Sequence, residues 1–286
     1  MSVAHSPLRY PGGKGRIFPF VSSLLVENGI VGCRYVEPYA GGAGLALRLL
    51  YEEYAESIVI NDLDPMVYSF WMTCKLQTNR LIDWIDKTPV NIDTWKLSKE
   101  IIKNKNNSNI FDLATAFFFL NRTNVSGVIN GGVIGGIQQT GQYKIDARYN
   151  RHELIKKIEK IGKFSSRIDV TNKDGIRLMS EYSLKNRNSF IYLDPPYFEK
   201  GSNLYLNFYK MEDHIRLSEN IASLSAPWLL SYDYEGAIID MYRKYRKMSY
   251  KLQHSTSNKI GDEILVFSNG LEFEKSITNL NCVATI

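Results

Sequence analysis

The chain has 286 residues but only three cysteines and four histidines, and neither set is grouped. Cys33, Cys74 and Cys282 are far apart and odd in number, so they read as free, partly buried thiols and not as a metal site or a disulfide framework. His5, His152, His214 and His254 lack a Cys or His neighbour with which to hold a metal, and are read as surface or packing residues. No apolar run reaches membrane-spanning length, and Met1 to Lys14 is polar and broken by proline and glycine, without a signal-peptide core; a cytoplasmic location is expected. There is no internal repeat or low-complexity linker, no Walker motif and no complete dinucleotide fingerprint, which argues against a nicotinamide enzyme.

What is present is the composition of an ordinary globule, 44% hydrophobic and 23% charged, long enough for one large domain or one domain with an insertion. A net charge of +5 is weak evidence for nucleic acid. The basic residues fall into three groups: Lys96, Lys99, Lys103 and Lys105; Arg148, Arg151, Lys156, Lys157, Lys160 and Lys163; Arg243, Lys244, Arg246, Lys247 and Lys251. A solvated helix face accounts for any one group, and three on one chain suit a phosphate-binding surface.

The run Phe190-Ile191-Tyr192-Leu193 is short, apolar and rich in strand formers, and Pro195 and Pro196 must stop it, so Asp194 sits at the carboxyl end of a buried strand. In open α/β sheets ligands bind over that edge. The two prolines make the loop rigid and present carbonyls, the Asp194 carboxylate and the ring of Tyr197. This suits a planar group bearing an amine: a carboxylate accepts one N–H, a proline carbonyl the other, and tyrosine stacks on the ring. Helix capping by Asp194 is the plainer reading of an isolated Asp-Pro-Pro.

Upstream, Leu8-Arg9-Tyr10-Pro11-Gly12-Gly13-Lys14 is a glycine loop ahead of a helix from Ile17 to Glu27, either a ligand approach reached by Tyr10 and Lys14 or a plain turn. A strand over Tyr35–Pro38, a turn containing Gly41, Gly42 and Gly44, and a helix from Leu45 to Tyr54 make the unit that binds nucleoside-type cofactors. The next strand, Ser57–Asn61, ends at Asp62, about 20 residues beyond the glycines, the spacing of a ribose-binding acid. Asp64 is expected to cap a helix starting near Pro65, although one residue of error exchanges the two roles. Glu37 can hold a cationic ligand group; its plainer reading is a pair with a backbone N–H or Lys14.

From Thr78 to Asn150 the βα rhythm is interrupted by helices, an apolar one at Phe111–Leu120 that must be buried, and a polar glycine-rich stretch from Asn121 to Tyr143 with amides to read base edges and Arg122 for phosphate. The rhythm resumes with a helix at His152–Ile161, a strand at Arg167–Thr171, Asp174 ahead of another helix, the Phe190 strand, the stretch Ser202 to Tyr209, a helix at Glu212–Ser223, strands at Trp228–Ser231 and Glu263–Ser268, and a polar loop at Ser255–Gly261. The pattern predicts an α/β fold with a doubly wound, mainly parallel sheet.

Tyr-Pro-Gly-Gly-Lys, Glu-Pro-Tyr-Ala-Gly-Gly-Ala-Gly, Asn-Asp-Leu-Asp, Asn-Arg-Thr-Asn-Val-Ser-Gly and Asp-Pro-Pro-Tyr occur in one order between about residues 8 and 268. In this the chain resembles the Dam-type, alpha-group DNA adenine-N6 methyltransferases. The resemblance implies the Rossmann-like S-adenosylmethionine-dependent methyltransferase sheet, with residues 1–77 and 151–286 catalytic and 78–150 an inserted, mostly helical target-recognition region. It implies contact of Tyr10, Lys14 and Asp62 with S-adenosyl-L-methionine and a Gly41, Gly42 and Gly44 turn beside it, and the reading of Glu37 as the holder of a cationic ligand group adds that residue to the cofactor site. Asp194 bridges cofactor and target in a catalytic loop completed by Pro195, Pro196 and Tyr197. Arg122, Asn124, Ser126 and Gly127 would meet double-stranded DNA. The adenine is flipped from the duplex, with no covalent enzyme intermediate and no metal. The setting implied is bacterial or phage-encoded, with a cognate restriction endonuclease as a partner or none, and an oligomeric state that the sequence does not reveal. The chain departs from the family at Thr123, where the best-known recognition loops carry an aromatic residue, while Asn124 and Gly127 match. An RNA adenine methyltransferase and a catalytically silent nucleic-acid-binding protein are the alternatives.

Overall fold

The computed structural model describes residues 5–10, 14–185, 188–198, 209–253, 260–280 and 284–285. Along these the chain forms α1 (Phe18–Glu27), β1 (Cys33–Glu37), α2 (Gly44–Tyr51), β2 (Ala55–Asn61), α3 (Pro65–Leu76), α4 (Thr78–Lys87), α5 (Ile92–Lys103), α6 (Ile110–Thr123), α7 (Arg151–Lys163), β3 (Ile168–Thr171), α8 (Gly175–Lys185), β4 (Ser189–Leu193), α9 (Met211–Ile221), β5 (Trp228–Asp233), α10 (Gly236–Met241), β6 (Lys247–Gln253), β7 (Ile260–Phe267) and β8 (Ala284–Thr285). It divides into two compact units, residues 1–11 with 64–170 and residues 12–63 with 171–286.

The first unit is helical. α6 packs against α3 and α5, and α7 against α4. Phe118 of α6 stacks on Phe70 of α3 at 5.4 Å between ring centroids, both fully buried, as the apolar run of α6 requires. α3 starts where the sequence places it: Asp64 is the N-cap, its Oδ1 accepts the Met66 N–H at 2.8 Å, and Pro65 occupies the first turn. Asp64→Ala is therefore expected to cost about 1 kcal/mol in urea unfolding. An unchanged unfolding midpoint would remove the cap from the account.

The second unit carries the sheet, in the order β2-β1-β4-β5-β7-β6-β8, with β3, of which Thr171 lies in this unit, heading the order beyond β2. β2, β1, β4 and β5 run parallel, and β7, β6 and β8 return antiparallel to their neighbours. β4 is buried at every residue, which is why it reads as an unbroken apolar run and not as an alternating one. Because β1 has β2 on one side and β4 on the other, the chain direction of travel reverses between β1 and β4. Such a switch point is where open α/β sheets bind ligands, and Glu37 and Asp194 stand at the carboxyl ends of its two strands.

The third basic group, for which a solvated helix face is one reading, lies partly on a strand: Lys247 and Lys251 belong to Lys247–Gln253, with Met248 and Tyr250 buried between more open Lys247, Ser249 and Lys251. The α2 helix ends at Tyr51, and not at Tyr54, because the chain turns through Glu53 at a φ of 61° into β2. Of the stretch Ser202–Tyr209 only Tyr209 lies within the described residues, and of the loop Ser255–Gly261 only the start of β7; Pro11 to Gly13, His254 and Cys282 also fall outside them. Cys33 and Cys74 are buried free thiols, and burial pushes Cys33 up to about 12. His214 packs in the core with Nδ1 at 2.6 Å from the Tyr232 hydroxyl. Among the described residues no helix is long and apolar enough to cross a membrane.

Candidate active site

The ends of β1 and β2 are tied by one buried side chain. Asn61 donates from Nδ2 to the carbonyls of Pro38 (2.8 Å) and Lys173 (2.9 Å), and its Oδ1 accepts from Thr171 Oγ1 (2.8 Å) and the Lys173 N–H (2.9 Å). All four hydrogen-bonding positions of the amide are used, so the loops after β1, β2 and β3 are held in one geometry. On that base stands the glycine turn. Gly41 has a φ of 46° and Ala43 one of 45°, left-handed values that glycine adopts without a Cβ penalty and alanine only under strain. The Gly41 N–H donates to Asp62 Oδ2 at 3.0 Å, which draws the acid after β2 against the turn. Gly42 and Gly44 complete it, Gly44 as the first residue of α2.

Glu37 ends β1 inside the protein. Tyr35 Oη donates to its Oε1 at 3.1 Å and the backbone of Ala46 bonds it as well, while among the described residues no cation pairs with it. Burial first, and the nearby Asp194 charge second, push this carboxyl up to about 8, against the lowering pull of its hydrogen bonds. Of the plainer alternatives the backbone bond is present and the Lys14 pair is not: Lys14 is engaged elsewhere.

Lys14, buried at the start of a short 3₁₀ turn, places its Nζ 3.1 Å from Asp194 Oδ1 and 3.2 Å from Glu263 Oε2, and donates to Tyr197 Oη at 3.1 Å. Burial alone would pull its ammonium down; Asp194 and Glu263 more than reverse this and hold it well above the ordinary lysine value. Asp194 receives a second bond on the same oxygen from Ser231 Oγ at 3.0 Å, and with that donation fixed, Tyr192 Oη donates to Ser231 at 2.8 Å. Oδ1 is thus held twice, whereas Oδ2 has no partner among the described residues and the side chain is 24% exposed. Burial and Glu263 raise Asp194 above the usual aspartate value against the opposing pull of Lys14. Pro195 is buried, Pro196 partly so, and Tyr197 is buried with its hydroxyl donating to Glu263 at 2.7 Å; the next amide, Phe198 N–H, donates to Asp233 Oδ1 at 3.0 Å. The loop is pinned at two consecutive residues past its prolines and leaves one Asp194 carboxylate oxygen without a partner among the described residues. A carboxylate oxygen left in this way can accept a hydrogen bond from a polar group.

The second unit therefore brings together Lys14, Asp194 and Tyr197 through Glu263, joins Gly41 to Asp62, and sets Glu37 within electrostatic reach of Asp194. Tyr10, Arg122, Asn124, Ser126 and Gly127 belong to the first unit. There Asn124 is fully buried: its Oδ1 accepts from Trp95 Nε1 at 2.7 Å, and its Nδ2 donates to the carbonyls of Val128 (2.8 Å) and Ile129 (3.0 Å). Arg122 donates to the Arg148 carbonyl, and burial lowers its guanidinium to about 10. Gly127, at a φ of 75°, lies so close to Arg9 that a Cβ would meet it at 3.0 Å, and Ser126 takes a left-handed φ of 55°. Thr123 is buried at the end of α6 with its hydroxyl on the Phe119 carbonyl, and Val125 is the side chain this loop exposes, by 56%. Tyr10 is half-buried. Glu263, Ser231, Tyr250 and Asn61 carry the geometry of the site, and none was singled out from the sequence for a site role. Only Glu263 offered a signal, an acid directly ahead of the fully buried run Ile264–Phe267.

A mainly parallel sheet with a glycine turn after β1, an acid after β2 and a partly exposed carboxylate after β4 is the class of α/β fold that binds nucleoside-type cofactors. Residues 10–265 match the D12 class N6 adenine-specific DNA methyltransferases, and the chain belongs to that family. It is similar to the type II methyltransferase M.MjaIII of Methanocaldococcus jannaschii, 23% identical over 83% of this chain and 86% of that protein. It is likewise similar to the type II methyltransferase M.CviBI of Paramecium bursaria Chlorella virus NC1A, 23% identical over 80% of this chain and 85% of that protein. The protein is a site-specific DNA adenine methyltransferase whose methyl donor is S-adenosylmethionine. The residues present fit that donor: Glu37 is a buried carboxylate without a cation partner among the described residues, and the donor carries a sulfonium and an ammonium.

Proposed function

We propose that Asp194 and the Pro195 carbonyl hold the N6 amine of an adenine flipped out of double-stranded DNA, with Tyr197 walling the base and Pro196 fixing the loop. The observation that supports this best is the division of labour at Asp194: Oδ1 is saturated by Lys14 and Ser231, and Oδ2 is left for an incoming N–H. The amine lone pair is delocalised into the purine and is a weak nucleophile. Acceptors on both N–H groups localise it, and a rigid loop holds it in line for attack. S-adenosylmethionine supplies an electrophilic methyl group when bound. After transfer N6 must lose a proton, and Asp194, already bonded to it, is the base in position to take it.

For the donor itself, Asp62 is placed to accept from ribose hydroxyls, Gly41, Gly42 and Gly44 to let the backbone approach closely, and Glu37 to face the cationic end, with Tyr10 and Lys14 as further contacts. Residues 78–150 act as the target-recognition insertion between catalytic segments 1–77 and 151–286, with Arg122, Ser126 and Gly127 in the loop that meets DNA and Asn124 as its anchor. The type II names of the two relatives support a restriction-modification setting with a cognate endonuclease as partner.

The Glu37 role gives a signed pH dependence. At pH 7 a carboxyl at about 8 is mostly protonated, and a cation placed beside it favours the charged form, so donor binding releases a proton. Affinity is expected to rise as the pH goes from 6 to 9, with a buffer-dependent binding enthalpy, and both effects to vanish in Glu37→Gln. Calorimetry in two buffers of different ionisation enthalpy checks this, and equal enthalpies in wild type would contradict it.

Site selectivity is tested by methylating an unmodified plasmid and mapping N6-methyladenine along it. Modification of essentially every copy of one short sequence is expected, with none by Asp194→Ala. Methylation scattered over unrelated sequences would overturn the site-specific reading.

A further inference from the structure

We propose that Glu263 is the positioning residue of the Asp194 site: from β7 it holds the Lys14 ammonium and the Tyr197 phenol, and its negative charge competes with Asp194 for Lys14. The inference rests on reading Asp194 as the residue that holds the target amine. Glu263 is 1% exposed, and both of its oxygens are used. Oε1 accepts from Tyr197 Oη at 2.7 Å and from Lys14 at 3.3 Å; Oε2 accepts from Tyr250 Oη at 2.5 Å and lies 3.2 Å from Lys14. A charge is buried at this depth only when such a set of partners compensates the loss of water.

The sheet puts it there. Glu263 pairs with Asp233 of β5 on one side and with Tyr250 of β6 on the other, and residues directly opposite in antiparallel strands share a face. The row Asp233, Glu263, Tyr250 thus lies behind residues 194–198. Its two acids hold successive points of the catalytic loop: Glu263 takes the Tyr197 hydroxyl and Asp233 the Phe198 amide. The antiparallel return of β7, which a fully parallel sheet would lack, is what delivers this row.

One ammonium serves two carboxylates, so whatever strengthens Glu263's hold on Lys14 weakens that of Asp194, and the reverse. The other titratable groups coupled to Asp194 are Glu37 from β1, Tyr192 from β4 and Tyr232 from β5; Tyr197 and Tyr250 face Lys14 and Glu263, and Ser231 adds a neutral hydrogen bond. Glu263 shares Lys14 with Asp194, and Tyr197 and Tyr250 both donate to Glu263.

The test is single-turnover methyl transfer to duplex DNA as a function of pH. In Glu263→Gln the like charge is gone and Lys14 belongs to Asp194 alone, so the acid limb of the rate moves to lower pH. With Tyr197 and Lys14 less firmly placed, the rate on the plateau falls on the order of 10²-fold. Glu263→Asp, which keeps the charge, brings the acid limb back toward wild type. Tyr250→Phe removes a donor from Glu263, leaves it pulling harder on Lys14, and moves the acid limb upward. A purely structural glutamate would not move the limb in opposite directions in these two variants. An unchanged limb in folded Glu263→Gln, or in Tyr250→Phe should Glu263→Gln not fold, overturns the proposal while an inactive Asp194→Asn leaves the reading of Asp194 standing. An active Asp194→Asn overturns both.

Discussion

Asp194→Ala is expected to lower methyl transfer by about 10³-fold or more, because it removes the acceptor that localises the N6 lone pair and the base that takes its proton. The fold should survive. Lys14, which loses one carboxylate, keeps Glu263 at 3.2 Å and Tyr197 at 3.1 Å, so no buried ammonium is stranded. The measurement is the single-turnover rate beside the urea unfolding curve and the donor dissociation constant. A variant with a normal unfolding curve and a lost rate supports the assignment; one that transfers methyl groups within tenfold of wild type would end it. The raised Asp194 value adds a pH signature. The wild-type rate should fall on acidification at a pH above the ordinary aspartate range, since the protonated carboxyl can no longer accept from N6.

The second large effect is on stability and belongs to Asn124. Asn124→Ala leaves the Trp95 indole N–H without its acceptor beside a fully buried position, and takes one of two donors from each of the carbonyls of Val128 and Ile129, which keep the Gly131 N–H and Lys99 Nζ respectively. With one to three kcal/mol for the stranded indole N–H and smaller losses at the two carbonyls, the expected loss is about 2 kcal/mol, a clear fall in the urea midpoint. DNA binding should fall with it, through loss of the ordered loop. Were the midpoint unchanged and DNA affinity alone reduced, Asn124 would be a direct DNA contact and its internal bonds of little consequence.

These two residues also mark what the sequence could and could not disclose. Asp194 was legible because its position depends only on local facts: a short apolar run must be a buried strand, two prolines must end it, and the acid between them must stand at its carboxyl end. Glu37, the glycine turn and Asp62 followed from the same strand-then-turn logic, and Asp64 from the proline after it. Burial and partnership were not legible, because they are properties of packing. Asn124 looks like any loop amide until Trp95 and two carbonyls close on it, and Arg122 like any phosphate-seeking cation until the Arg148 carbonyl takes it. Glu263 meets Tyr250 through an antiparallel register, and Lys14 and Tyr197 from stretches far away in sequence. Strand β6 is a different case: its period-two alternation of Met248 and Tyr250 with lysines and serine is a local signal that the sequence carries in full.

The central claim, transfer of a methyl group to adenine N6 in DNA at the Asp194 loop, is tested most directly with S-adenosylmethionine labelled in its methyl group. Unmethylated duplex DNA and structured RNA are offered separately, each is digested to nucleosides, and Asp194→Ala is run in parallel. The predicted result is label in DNA, recovered as N6-methyladenine and absent in the variant. Label recovered only from RNA, or in DNA on a nucleoside other than N6-methyladenine, would contradict it.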